Sequence, residues 1–311
     1  MRGGLTLRVL ASRRFPGPAW DELEDVEYYE TLDGVRSDAE ALAVVGERID
    51  AAVLERFPNL RLVANYGVGY DDIDVEACSV RGVVVTNTPG VLDAATADLA
   101  MALILATRRR VVEGDTFVRE GQWGTEWVVP ALLGQEVSGS TLGIVGLGRI
   151  GQAVARRARG FETRLLYTKR SRLPGAEERE LGVEFREVDD LLAEADIVTL
   201  HVPLTPETNR LLDAGRLGLL RDGACLVNTA RGAIVDEPAL VEELESGRIR
   251  AGLDVFAHEP DVPTELLELP NVVLTPHVGS ATQETREAMT RVLVDNLQAA
   301  AAGKPAPNPV A

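Results

Sequence analysis

The chain has 311 residues and sets 49 acidic against 32 basic side chains, a formal net charge of −17. Such a surface repels nucleic-acid phosphates and anionic lipid headgroups, which excludes both as general partners. Its 45% apolar content is enough for buried cores, and a small anionic substrate stays allowed where local basic residues reverse the field.

In chain order, short apolar runs predict strands over residues 5–11, 41–45, 61–65 and 83–86. Residues 93–121 then predict one long helix, with Leu99, Leu103 and Ala106 on one face and Asp93 as its cap. A second set of strands is expected over 141–145, 163–167, 197–201, 225–228, 252–256 and 272–275. Ser280 to Gln283 fits a capping box opening a further helix that ends near Gly303. The Pro-rich tail over 304–311 is expected to be loose.

Strands alternating with helical patterns predict an α/β fold: two Rossmann-like domains with parallel sheets. The substrate-binding domain is discontinuous, over 1–92 and 280–311, and the dinucleotide-binding domain covers 93–279. The active site is expected in the cleft between them. The longest unbroken apolar run, residues 99–106, is too short to span a membrane. Arg2, Arg8, Arg13 and Arg14 interrupt any leader-like stretch. Cys78 and Cys225 are the only cysteines, so no disulfide framework or metal site is expected. These features predict a reduced, cytoplasmic protein.

Residues 141–151 read TLGIVGLGRIG. An apolar strand enters Gly146-x-Gly148-x-x-Gly151 and a helical pattern follows, with Arg149 and Ile150 between the last two glycines. Gly146 serves the tight turn, Gly148 lets the backbone approach a pyrophosphate, and Gly151 lets helix and strand pack closely. The helix N-terminus offers N–H groups to the phosphates; the alternative is a tight turn with no ligand. An NAD site normally places a carboxylate at the end of the next strand. Here Lys169, Arg170 and Arg172 stand instead, including one of only two lysines in the chain. Guanidinium suits phosphate, so the stretch reads as a 2′-phosphate site for NADP(H), with NAD(H) second; a solvated basic loop is the other reading. Thirty of the 32 basic side chains are arginine, which fits either codon bias or adaptation to salt.

Of three histidines, His201 ends a strand and reads as packed or cofactor-facing, and His258 reads as exposed. His277 follows the strand at 272–275 and precedes Gly279 and Ser280, at a strand end where α/β sheets bind ligands. Arg231 and Glu259 follow the strands at 225–228 and 252–256 in the same way. Each alone could be a solvated loop charge.

The stretches VGLGRIG, HVPLTPET, VNTARGAIVDEPAL, LDVFAHEP and TPHVGSAT follow one another here, with NYGVGYDDIDVEAC and TPGVLDAATADLA before them. In this order they resemble the D-isomer-specific 2-hydroxyacid dehydrogenases over nearly the whole chain, most of all the NADP-using glyoxylate/hydroxypyruvate reductases. The resemblance implies reduction of a small 2-oxo acid to the D-2-hydroxy acid by hydride from NADPH. It implies a triad in which Arg231 binds the substrate carboxylate and ketone, His277 donates the proton, and Glu259 orients the imidazole. It places the N–H groups of Val68 and Gly69 on the carboxylate, and Trp127 in the substrate pocket of a partner subunit. It makes Asp254 the holder of the nicotinamide carboxamide, Thr96 and Thr229 its neighbours, and Val202, Pro203 and Thr208 the adenosine-side contacts. It also implies a homodimer, for which the apolar stretch 97–106 is a candidate interface; the other reading is that this helix packs inside its own domain.

Other branches are weighed by departures. Phosphoglycerate dehydrogenases carry an arginine near Asn65, phosphite dehydrogenases a lysine at Val68, and D-lactate dehydrogenases usually keep the acidic residue missing after Tyr167. Formate dehydrogenases lack the glutamate that stands here as Glu259. A dinucleotide-sensing corepressor shares the fold, with long flanking segments that this sequence lacks.

Overall fold

The computed structural model describes residues 7–124 and 132–310. Contacts divide the chain into two compact units, Met1–Leu92 with Ser280–Ala311, and Asp93–Gly279. In the first unit the order is β1 (Val9–Ala11), β2 (Val26–Tyr28), β3 (Ala41–Val44), α1 (Ala51–Leu54), β4 (Leu62–Asn65), α2 (Val75–Val80) and β5 (Val84–Thr86).

The second unit begins with α3 (Asp93–Arg108) and α4 (Val111–Arg119), then β6 (Thr141–Val145), α5 (Arg149–Ala158), β7 (Arg164–Thr168), α6 (Gly175–Leu181) and β8 (Val183–Phe185). It continues with α7 (Val188–Glu194), β9 (Ile197–Leu200), α8 (Ala214–Leu217), β10 (Cys225–Asn228) and α9 (Glu237–Glu245). It closes on β11 (Arg250–Leu253), α10 (Thr264–Glu268) and β12 (Val272–Leu274), and α11 (Gln283–Ala301) returns to the first unit.

Each unit holds one parallel sheet, ordered β2-β1-β3-β4-β5 in the first and β12-β11-β10-β9-β6-β7-β8 in the second. Strands buried on both faces explain the near-continuous apolar runs. Alternation then sorts their side chains. Leu166 and Leu226 join one core of the second unit, while Leu165, Tyr167 and Val227 join the other. In that sheet β6 lies between β7 and β9. Chain direction across the sheet therefore reverses at β6, the point beside which doubly wound sheets bind ligands.

Several expectations change. The helix expected over 93–121 is two helices, because Arg110 adopts a left-handed backbone (φ 53°) and Gln135 N–H takes the Arg108 carbonyl at 2.8 Å. The stretch 97–106 is not a free interface. Ala97, Ala100, Leu103 and Ile104 are buried in the unit's own core, and a Cβ on Gly252 would lie 3.0 Å from Leu103 Cβ. Helix α11 is capped by Thr282, whose hydroxyl accepts Thr285 N–H at 3.2 Å, rather than by Ser280. The tail is tied down: Val310 N–H donates to Val85 O at 2.9 Å and Asn308 N–H to Asn296 Oδ1 at 3.0 Å. Strands β2 and β8 were not expected; both are three-residue edge strands with exposed polar neighbours. Strand β11 starts two residues before the predicted run and ends at Leu253.

That last shift matters for chemistry. It moves Asp254 from the middle of a strand to its C-terminal end.

Candidate active site

The C-terminal ends of β6, β9, β10, β11 and β12 carry most of the sequence-selected residues of the second unit. After β6, Gly146 has φ 98°, and a Cβ there would sit 2.6 Å from the His201 carbonyl carbon. Only glycine meets both demands. A Cβ on Gly151 would overlap the Gly146 carbonyl oxygen, so the first turn of α5 packs directly on the glycine turn. Gly148 is different: a Cβ there would meet open space. It caps α5 without a side-chain hydrogen bond, so the amides of Arg149, Ile150 and Gly151 belong to a turn with no intrahelical acceptors. An uncovered glycine at a ten-residue helix start fits a pyrophosphate.

Val202 and Pro203 lie just past β9, and a Cβ on Gly146 would lie 2.8 Å from Val202 Cγ1. The Thr208 hydroxyl folds back on this loop, donating to Pro203 O at 2.6 Å. His201 bonds the Thr199 hydroxyl through Nε2 at 2.9 Å, and burial pushes its imidazole down to about 4. A neutral ring packed beside the glycine turn matches the packed or cofactor-facing reading. His258 is exposed.

Past β7, the three basic residues part company. Arg172 is held by Glu178 through two hydrogen bonds, 2.8 and 2.9 Å, and its guanidinium lies 5.6 Å from the Phe185 ring centroid. Tyr167 OH donates to the same carboxylate at 2.8 Å, and together with Arg172 it draws the Glu178 carboxyl down to about 2. Lys169 and Arg170 make no side-chain hydrogen bond or ion pair among the described residues. The side chain of Lys169 is half-buried and that of Arg170 is exposed.

The loops after β10, β11 and β12 build the titratable group. The His277 ring meets Glu259 Oε2 through Nδ1 at 2.6 Å. Glu259 Oε1 accepts Phe256 N–H at 3.0 Å. Burial alone would raise the Glu259 carboxyl, but the hydrogen bonds from His277 and Phe256 and the charges of His277 and Arg231 bring it below its ordinary value. Arg231 precedes Gly232, and a Cβ on Gly232 would overlap the Phe256 carbonyl and Ala257 N. The Arg231 turn and the Glu259 loop thus press together backbone to backbone. Arg231 Nη1 also donates to Ala230 O at 2.8 Å.

His277 itself sits at φ 52°, a left-handed position that costs an L-residue free energy unless its surroundings enforce it. They do. His277 N–H donates to Asp254 O at 2.9 Å. The Asp254 side chain, 1% exposed, accepts Thr275 OH at 2.5 Å, Val278 N–H at 2.8 Å and Gly279 N–H at 2.8 Å. Burial raises the Asp254 carboxyl despite these bonds. Asp254 is therefore first a clamp on the loop that carries His277, a role absent from the sequence reading. Thr275 was missed for the same reason: only the fold shows its hydroxyl reaching Asp254.

Thr96, 5% exposed on α3, borders Gly279, whose Cβ would lie 3.5 Å from Thr96 Cγ2. Thr229 Oγ1 is buried without a partner among the described residues. An orphaned hydroxyl at the end of β10 is a donor awaiting a ligand, which fits a nicotinamide-side contact. Val68 and Gly69 lie in the first unit, on the loop after β4. Trp127 lies outside the described residues. Among those described, no group of three or more His, Cys, Asp or Glu is placed to hold a metal ion. No helix among them is long and apolar enough to cross a membrane.

Comparison with known proteins matches residues 101–279 to the D-isomer specific 2-hydroxyacid dehydrogenase, NAD binding domain. A glyoxylate reductase of Pyrococcus furiosus is 50% identical over 292 residues, covering 93% of this chain and 87% of its own length. Another glyoxylate reductase, from Aeropyrum pernix, is 48% identical over 305 residues, 96% of this chain and 90% of its own. Among solved structures, an NADPH-dependent glyoxylate/hydroxypyruvate reductase of Sinorhizobium meliloti, in complex with NADP and malonate, is 38% identical with a TM-score of 0.90. The match covers 98% of this chain and 97% of that one.

Proposed function

Because the chain belongs to the D-isomer-specific 2-hydroxyacid dehydrogenases, and is thus an NAD(P)-dependent oxidoreductase, we propose that it reduces glyoxylate, with hydroxypyruvate as second substrate, using NADPH. The observation that carries the chemistry is the 2.6 Å contact between His277 Nδ1 and Glu259 Oε2, beside Arg231 on the neighbouring loop. Half-identity to glyoxylate reductases along nearly the full chain supports the substrate.

When bound, the nicotinamide dinucleotide supplies the hydride. Arg231 takes the substrate carboxylate and ketone oxygen, since a planar guanidinium offers two parallel donors. In the first unit, the N–H groups of Val68 and Gly69 are offered to a substrate carboxylate. As the ketone carbon is attacked, its oxygen gathers negative charge, and the guanidinium stabilises it. His277 gives that oxygen a proton from Nε2. Glu259 accepts from Nδ1, which sets the ring and offsets the charge of the imidazolium.

On the cofactor side, Arg149, Ile150 and Gly151 amides hold the pyrophosphate, with Val202, Pro203 and Thr208 along the adenosine. Thr96, Thr229 and Asp254 flank the nicotinamide. The 2′-phosphate falls to Lys169 and Arg170; Arg172, already paired with Glu178, supports the loop instead. The test is NADPH oxidation followed by absorbance with glyoxylate, hydroxypyruvate and pyruvate, repeated with NADH. Glyoxylate turnover with NADPH favoured is the expected result; a clear NADH preference removes the phosphate assignment. The double variant Lys169→Ser, Arg170→Ser should raise KM for NADPH about tenfold or more, hydrogen bonds to charged groups being worth about 1.5–3 kcal/mol. Its KM for NADH should hold.

A homodimer is part of the proposal. No residue of α4 is buried, and Val111, Val112 and Val118 are about half exposed or more, followed by Trp123 at 59%. That is apolar surface a solvated helix has no use for. Sedimentation should give a dimer for the native chain and a monomer for Val111→Asp, Val118→Asp. A native monomer refutes this assignment.

A further inference from the structure

The loop after β4 is anchored by its carbonyl groups. Asn65, 6% exposed, donates through Nδ2 to Gly69 O at 2.7 Å and to Gly67 O at 3.3 Å. Gly67 O also accepts Thr88 N–H at 2.9 Å. The half-buried Asn87, just past β5, donates through Nδ2 to Val68 O at 2.9 Å. Three successive carbonyls are therefore held, two of them from one buried side chain.

A trans peptide points its C=O and its N–H to opposite sides. Fixing the carbonyls of Gly67, Val68 and Gly69 turns the N–H groups of Val68, Gly69 and Tyr70 the other way, and Gly69 and Tyr70 are exposed. The anchor must be an amide. Asn offers N–H donors to carbonyl oxygens, whereas ionised Asp, similar in shape, is acceptor-only and would face those oxygens with charge of the same sign.

We propose that Asn65 and Asn87 are positioning residues for anion binding: they hold the loop so that three backbone N–H groups form a fixed donor row for the substrate carboxylate. The proposal rests on the reading that this loop takes the carboxylate. Donors fixed before the ligand arrives need no ordering when it binds. Loss of an anchor therefore weakens ground-state binding and leaves the proton transfer at His277 alone.

Steady-state kinetics on Asn65→Asp and Asn87→Ala test this, with thermal melting of each variant and the affinity of oxalate for its NADPH complex. Expected is a KM for glyoxylate raised about tenfold or more, oxalate weakened in parallel, and kcat and KM for NADPH within about threefold of native, the pattern of lost uniform binding. Should the buried Asn65→Asp fail to fold, Asn87→Ala, at a half-buried site, decides. Unaltered KM and oxalate affinity in folded variants, with the native chain active, overturn the positioning role alone. A native chain inactive on every 2-oxo acid overturns both this proposal and the reading beneath it. Equal losses in kcat and in NADPH binding would mark a merely structural role and also refute it.

Discussion

Replacing His277 with alanine is expected to lower glyoxylate turnover about 10²–10⁴-fold, the usual worth of a positioned general acid, while NADPH affinity stays near native. The clean split follows from how the residue is held. Its main chain is fixed by Asp254 O, and the next two amides by the Asp254 carboxylate. Alanine keeps all of those bonds, and it meets the same left-handed backbone as histidine does. What it loses is the ring that Glu259 orients. Steady-state kinetics and fluorescence titration with NADPH give the two numbers separately. Native turnover in the variant would take the proton-donor role from His277.

The second large effect is expected at a residue that touches no substrate. Gly232→Ala places a methyl group into the Phe256–Ala257 backbone, and no rotamer change can relieve a clash between main chains. Overpacking in a core costs about 1–3 kcal/mol and more where backbone must move. For a unit of this size, 3 kcal/mol is about 6–12 °C in melting temperature. Activity should fall further than stability accounts for. The clash pushes apart the turn that carries Arg231 and the loop whose Phe256 N–H holds Glu259, so both partners of the site shift together. Scanning calorimetry and kinetics on the surviving fold check this. A variant as stable and active as the native chain would mean that the two loops separate without cost.

The parts of the fold legible in sequence were those with a strong local signature. Gly146 and Gly151 announce a turn and a helix contact because each answers a steric demand. Buried central strands read as apolar runs. The break at Arg110 left no such mark: neither glycine nor proline stands there, and the helix stops because a distant segment, Gln135, claims its carbonyl. Strand β11 was misplaced because Leu-Asp-Val-Phe reads as a β-run, whereas Asp254 leaves the sheet to bind three donors. Arg172 reads as a phosphate ligand from its neighbours in sequence; Glu178, six residues on, takes its Nε–Nη2 edge. Asn65 and Asn87 gave no signal, since their targets are carbonyl oxygens, which every residue has. Local chemistry is visible in a string of letters, and a long-range hydrogen bond is not.

The chain's end has a use of its own. Strand β5 is the rim of the first unit's sheet, a row of groups open to pairing with any stray strand. Residues 308–310 lie along it, Pro309 bridging to Thr86 and Val310 N–H bonding Val85 O. Pro309 brings no N–H to that rim. The sheet thus finishes in a segment short of donors, on which a further strand finds little to pair with. A tail that looked like slack is a selvedge: it guards the molecule against edge-to-edge self-association at high concentration.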